Sequence, residues 1–169
     1  MYKYIVALFC LMFIGTIQAA ENPATNLGTF GVWTAYVYHG PEGKICSMVT
    51  EPEKSVGKYK KRDDIFLRVT HIPYANRSDE VSVMAGYTYK KDSKPTLTVD
   101  KKPAIALISR EDGAWAKDNA TDKKLVAQMK AGSDIVLRGT SKRGTVTTDT
   151  FSLKGFSKAY REISEACAQ

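Results

Sequence analysis

The sequence predicts a mainly β protein: a single-domain antiparallel β-sandwich with two short helices, one of them C-terminal. Three observations carry this reading. About eight or nine short runs show strand patterning and are bounded by turn residues, whereas only two segments show a helical period. The runs follow one another without the strand–helix–strand alternation of a parallel sheet. The chain has 169 residues. The part left after a predicted leader is roughly 150 residues, one domain by size and long enough to bury a sizeable core.

Met1–Ala20 reads as a signal peptide, so the chain is expected to be exported, periplasmic or secreted. Lys3 supplies the positive start, Tyr4–Ile14 the apolar stretch, and Ile17-Gln-Ala-Ala20 the small residues at a cleavage point. The apolar stretch is shorter than the ~20 residues of a spanning helix, and no other segment is long or apolar enough to cross a bilayer. Cys10 leaves with the leader. Cys46 and Cys167 remain, an even pair that in an exported chain reads as one disulfide. Phe156, Tyr160, Ile163 and Cys167 share one helical face, which supports the pairing. Two free thiols are the alternative.

Residues 21–28 are expected to be a mobile lead-in, and the domain to span 29–169. Thr29–Tyr38 and Lys44–Thr50 read as two strands around a turn at Gly40–Gly43. Glu51–Asp64, charged and without a period, reads as a long exposed loop. Ile65–Ile72 alternates until Pro73 ends it, and Tyr74–Asp79 is a polar connection. Val81, Val83, Ala85 and Tyr87 form the next strand face. Pro95–Val99, Ala104–Arg110 and Gly113–Lys117 read as short strands. Leu125, Val126 and Met129 then mark a helix from about Thr121 to Ala131, with Asp118 or Thr121 as cap and Gly132 at its end. Asp134–Thr140 and Thr145–Leu153 form a hairpin around the basic turn Ser141–Gly144. Gly155 turns the chain into the last helix, capped by Ser157.

The formal net charge is +7, and loss of Lys3 leaves about +6. The excess predicts attraction to acidic partners such as anionic lipid headgroups, lipopolysaccharide or sialylated surfaces. No nucleic-acid-binding motif is present. His39 and His71 could join Cys46 and Cys167 in a zinc set on paper, but the paired ligand spacings are missing, so neither metal nor cofactor is expected. No Gly-x-Ser-x-Gly elbow marks a nucleophile. Of the carboxylates Asp63, Asp64, Asp79, Glu80, Glu111, Asp112 and Asp149, most fall in predicted loops or at strand ends. Asp149 lies mid-strand and is expected to pair with Arg138 or Lys142.

No catalytic set emerges, and the chain reads as non-enzymatic. Recognition is left. Lys58, Lys60, Lys61 and Arg62 in one loop, with Lys142 and Arg143 in the hairpin turn, are the candidate residues for attraction. Trp33 and Trp115 are the candidates for contact, with Tyr36, Tyr38, Tyr74 and Tyr87 as further aromatic surface. The alternatives are an envelope polysaccharide hydrolase using paired carboxylates and a small-ligand carrier with an apolar cavity.

Four segments, in order, carry a resemblance. They are Phe30-Gly-x-Trp33, Val69-Thr-His71, Asp112-Gly-Ala-Trp-Ala-Lys-Asp118 and Arg138-Gly-Thr-Ser-x-Arg-Gly-Thr-x-Thr-Thr-Asp-Thr-Phe-Ser-Leu-Lys-Gly-Phe156. Together they resemble the invasion-associated locus B family of bacterial secreted or periplasmic proteins. Val32 stands where that family often has Asp, and Ala35–His39 lacks the Cys that many members carry after the Trp. The resemblance implies association with the cell envelope and, in pathogenic members, with host-cell invasion. It implies no defined molecular activity. The partner expected is an envelope or host-surface component, with anionic ones favoured by the charge. The oligomeric state is left open.

Overall fold

Alternating apolar residues sort the strands into two antiparallel sheets that share one core. The computed structural model describes residues 24–168; the predicted leader and the start of the predicted lead-in lie outside the described residues. In chain order the elements are β1 (Thr25–Phe30), β2 (Trp33–Gly40), β3 (Gly43–Thr50), β4 (Lys54–Gly57), β5 (Phe66–Ile72), β6 (Arg77–Met84), β7 (Thr96–Val99), β8 (Ile105–Ala106), β9 (Ile108–Arg110), β10 (Gly113–Trp115), α1 (Asn119–Ala131), β11 (Asp134–Thr140), β12 (Val146–Ser152) and α2 (Phe156–Ala168). The larger sheet has the order β1-β2-β3-β5-β6-β10-β9 and the smaller one β4-β12-β11-β7-β8.

Three expectations are corrected. The lead-in is not free from Thr25 onward, because β1 pairs with β2 as an edge strand. The charged stretch 51–64 is not wholly a loop. Its Lys54–Gly57 pairs with Thr147–Thr150 of β12, and an edge strand needs a backbone partner more than an apolar pattern. Ala104–Arg110 is not one strand. It breaks at the buried Leu107, so that β8 joins the smaller sheet and β9 the larger, as happens where a strand turns a sandwich corner.

The inner faces follow the period of two. Ala35, Met48, Leu67, Val69, Val81 and Val83 from the larger sheet meet Leu97, Val99, Ile135, Leu137 and Phe151 from the smaller one in a single cluster. Helix α1 adds Leu125 and Met129, and α2 adds Phe156 and Ile163. Asp118 caps α1 by accepting from the Thr121 amide at 2.8 Å. Gly132 ends it in an extended conformation, with φ of −99°.

The two ends of the chain interlock. Gly31, in the β1–β2 turn, and Gly155, before α2, both have positive φ (62° and 91°), and a Cβ on either would overlap the other segment's backbone. The Val32 amide donates to the Lys154 carbonyl at 3.2 Å. Trp33 Nε1 donates to the Ser152 carbonyl at 3.0 Å, and its ring meets Phe156 edge-to-face at 5.1 Å. Helix α2 then runs over β1, β2, β3 and β5. Near its far end, Cys167 is joined to Cys46 of β3 by the disulfide, across a sequence separation of 121.

A cross-link over so long a loop removes much unfolded-state entropy. Replacing both cysteines by Ala is expected to lower the unfolding free energy by about 2–5 kcal/mol, read by urea denaturation of oxidised protein and the double variant.

Candidate functional site

The site begins with a buried carboxylate. On β12 the inward face runs Thr147, Asp149, Phe151, so alternation carries Asp149 into the interior, where its side chain is 0% exposed. A lone carboxylate there costs several kcal/mol unless it is paired. Its partner is Arg62, from the segment between β4 and β5. Arg62 Nη1 and Nη2 donate to Asp149 Oδ1 and Oδ2 at 2.7 and 2.9 Å. Arg62 Nε also donates to the Ala85 carbonyl at 3.0 Å. The guanidinium lies 4.9 Å from the Tyr87 ring centroid and 5.1 Å from that of Tyr59. Burial pulls the Arg62 pKa down, but the hydrogen bonds and charge of Asp149, together with Tyr59 and Tyr87, outweigh it and the net shift is upward.

Pinning Arg62 fixes Lys58–Lys61 opposite the β11–β12 turn, and a cleft of about 720 Å³ lies between them. Lys58, Tyr59, Lys60 and Lys61 line one side, and Lys142, Arg143 and Thr145 the other. Deeper in, Tyr87 Oη and Thr147 Oγ1 share a hydrogen bond of 2.7 Å. Gly139 makes room for the tyrosines, since a Cβ there would fall 2.6 Å from Tyr87 Oη and 2.8 Å from Tyr89 Cε1. The hairpin turn is firmly held. The Ser141 amide donates to the Thr145 carbonyl and the Lys142 amide to the Thr88 carbonyl, each at 2.8 Å.

Charge in the cleft is one-sided. Lys58, Lys60, Lys61, Lys142 and Arg143 are exposed, and none of them takes part in the ion pairs found among the described residues. Asp63 is the one carboxylate in the lining. Concave positive surfaces focus the field and concentrate anions.

The fold thus joins the two basic runs that the sequence singled out separately. Two of the candidate residues need correction. Arg62 is not a free surface cation: its side chain is 4% exposed and neutralised by Asp149. Trp33 is not a contact residue: it is 0% exposed in the core, because β2 turns it inward toward α2. Trp115 is half-buried on β10, with its ring lying over Gly113, and it is not among the cleft residues. Asp149 does not pair with Arg138 or Lys142. Leu137 is its register partner, and Arg138, one residue on, faces the opposite side of the sheet. Sequence reasoning missed Tyr59, Thr145 and Thr147. The placement of Asp149 on the same strand face as Phe151 was the available signal that a cation had to come from elsewhere.

A second polar cluster lies under α2. His71 Nδ1 accepts from the Asp79 amide at 3.1 Å. The hydrogen-bond network therefore puts the proton on Nε2, which donates to Ser164 Oγ at 3.2 Å. Ser164 Oγ donates in turn to the Tyr160 carbonyl at 2.7 Å. In this direction the histidine gives Ser164 a proton rather than taking one, the reverse of what nucleophile activation needs. Cys46 and Cys167 are bonded to each other, so they supply no thiolates to the zinc set drawn from sequence. Among the described residues no group of three or more His, Cys, Asp or Glu is placed to hold a metal, and no helix is long and apolar enough to cross a membrane.

Comparison with known proteins bears on fold and family. The family model described as "Invasion associated locus B (IalB) protein" matches residues 33–164. The crystal structure of invasion associated protein B from Bartonella henselae superposes with a TM-score of 0.58 at 18% identity, covering 84% of this chain and 96% of that one. At that identity the likeness is one of fold. No curated protein sequence matches the chain.

Asp149→Ala leaves Arg62 buried without its partner and is expected to destabilise the protein by about 3–5 kcal/mol; replacing both residues by apolar ones of similar volume should recover much of that in urea denaturation. His71 also carries a pH dependence. Burial and, secondarily, Lys130 lower its pKa below the ordinary 6.5, with Asp79 opposing. The unfolded chain therefore takes the proton first. Stability from this site is full above pH ~6.5 and falls below it, by at most about 1.4 kcal/mol per pH unit. Unfolding free energies measured from pH 7.5 to 5 should show that decline, and His71→Gln should flatten it.

Proposed function

The chain belongs to the invasion associated locus B family, and on that premise we propose that it is an exported, non-enzymatic protein of the periplasm or the secreted fraction. It acts by binding an anionic component of the cell envelope or of a host-cell surface. The observation that carries this reading is the convergence of Lys58, Lys60, Lys61, Lys142 and Arg143 on one cleft, with none of them in an ion pair found among the described residues. Export is supported by the N-terminal leader pattern and by the disulfide, a bond that persists in oxidising compartments.

One exposed ion pair contributes only about 0–1 kcal/mol, so recognition by such a surface depends on several cations acting on one ligand. Ionic strength weakens it accordingly. Lys58 and Tyr59 follow directly on β4, whose register with β12 is fixed, and Lys142 follows β11. Both sides of the cleft are therefore anchored to the same sheet.

The test is capture of partners from the organism's envelope fraction by the tagged mature protein, at low and at moderate salt. The expected result is a specific component that persists at moderate salt for the native protein and disappears for K60E/K61E/K142E/R143E, with the thermal midpoint of the variant unchanged. Association that survives the fourfold charge reversal removes the proposal.

A further inference from the structure

The cleft is more than a patch of positive charge. Its lysines and arginine stand in two banks, Lys58, Lys60 and Lys61 on one side and Lys142 and Arg143 on the other. Between the banks the lining is electrically quiet. Arg62 lies there, but Asp149 matches its charge through two hydrogen bonds. The uncharged part of the lining is the Tyr59 ring, on the side of Lys58, Lys60 and Lys61, with the hydroxyl group of Thr145 on the other side and that of Tyr87 deeper in. Arg62 stacks on the Tyr59 ring, and the residue remains 38% exposed.

We infer that the cleft binds a saccharide carrying two or more anionic groups, an inference that rests on the cleft being the binding site. Size is the first reason. A volume of about 720 Å³ lies within the roughly 300–1,000 Å³ of small-molecule sites. A bare phosphate, comparable to a few waters at about 30 Å³ each, leaves most of it empty. Charge placement is the second. A ligand with one anionic group satisfies one bank, whereas a ligand with two, set at opposite ends, bridges both. The uncharged lining is the third. A partly exposed aromatic ring in the same cleft as hydroxyl donors and acceptors matches a sugar ring, with its apolar C–H face and its hydroxyl edge. An acyl chain would find too many polar groups there. Asp63, also in the lining, can accept a hydrogen bond from a sugar hydroxyl and disfavours a second layer of anions.

Two sources share this chemistry: phosphorylated amino sugars of a bacterial envelope, and sialylated or sulfated glycans of a host surface. The test is titration calorimetry of the mature protein at moderate salt with defined probes. These are a bis-phosphorylated glucosamine disaccharide, the same disaccharide without phosphate, a disulfated uronic-acid disaccharide, a disialylated oligosaccharide, inorganic phosphate and a Glu-rich peptide. The expected result is that at least one charged saccharide binds tenfold or more tightly than phosphate, the uncharged sugar and the peptide, and the one that does so identifies the source. Tyr59→Ala should weaken that binding about tenfold, as loss of an aromatic anchor does. Tyr59→Phe should retain it, because the ring makes the contact. Thr145→Val, on the hairpin side of the cleft, should weaken the saccharide and leave phosphate unchanged.

Equal binding of phosphate or peptide overturns the inference. So does an absence of binding by every charged saccharide, or indifference to both Tyr59→Ala and Thr145→Val. The failure of this inference is separable from that of the reading beneath it. If K60E/K61E/K142E/R143E abolishes envelope association while no charged saccharide is preferred, the cleft stands as an anion site and its sugar specificity falls.

Discussion

The site depends on the ion pair between Arg62 and Asp149. A carboxylate on the inward face of a sheet demands a cation, and here the cation arrives on a charged segment with little apolar content of its own to hold it. Two hydrogen bonds to Asp149, two to the Ala85 carbonyl, and the rings of Tyr59 and Tyr87 locate the guanidinium. The planar fork of arginine suits such a position better than a lysine would. The lysines on the same segment then inherit a fixed place that their own solvated side chains do not supply. A buried ion pair thus sets the place of exposed charge.

A different constraint holds the domain shut. The first and last of the segments that carry the family resemblance meet in space: Gly31 and Trp33 from the start of the domain lie against Ser152, Lys154, Gly155 and Phe156 from its end. His71 of the middle segment packs edge-to-face on Tyr160 of α2. These contacts are matters of packing and backbone approach. The cleft draws on the same long segment through Gly139, Arg143, Thr147 and Asp149, but Lys58, Lys60 and Lys61 lie outside all four segments. Membership of the family accordingly says more about how the chain folds than about what the cleft binds.

Much of this architecture was legible in the sequence. Alternation located β5 and the β11–β12 hairpin almost to the residue, because both faces of those strands meet contrasting environments. Leu125, Val126 and Met129 located α1, and the even cysteine count located the disulfide. β4 was not legible, since Lys54–Gly57 has no apolar face and owes its conformation to hydrogen bonds with a strand far along the chain. The break at Leu107 was equally hidden, because a residue passing between sheets leaves no periodic mark. For the site, residue type picked out the two basic loops, but only tertiary structure could show that they face each other. Type also misled: Trp33 and Arg62 are both common in binding surfaces, and both are buried here by demands of the core.

The contact between Gly31 and Gly155 also bears on time. The first hairpin cannot find its packing partner until the last strand and the helix after it exist, and Cys46 has no bonding partner until Cys167 is present. The start of the domain must therefore wait for its final stretch. An order of assembly in which the end completes the beginning keeps the chain pliable for as long as it is unfinished. That is the behaviour expected of a chain whose contacts join residues far apart in sequence.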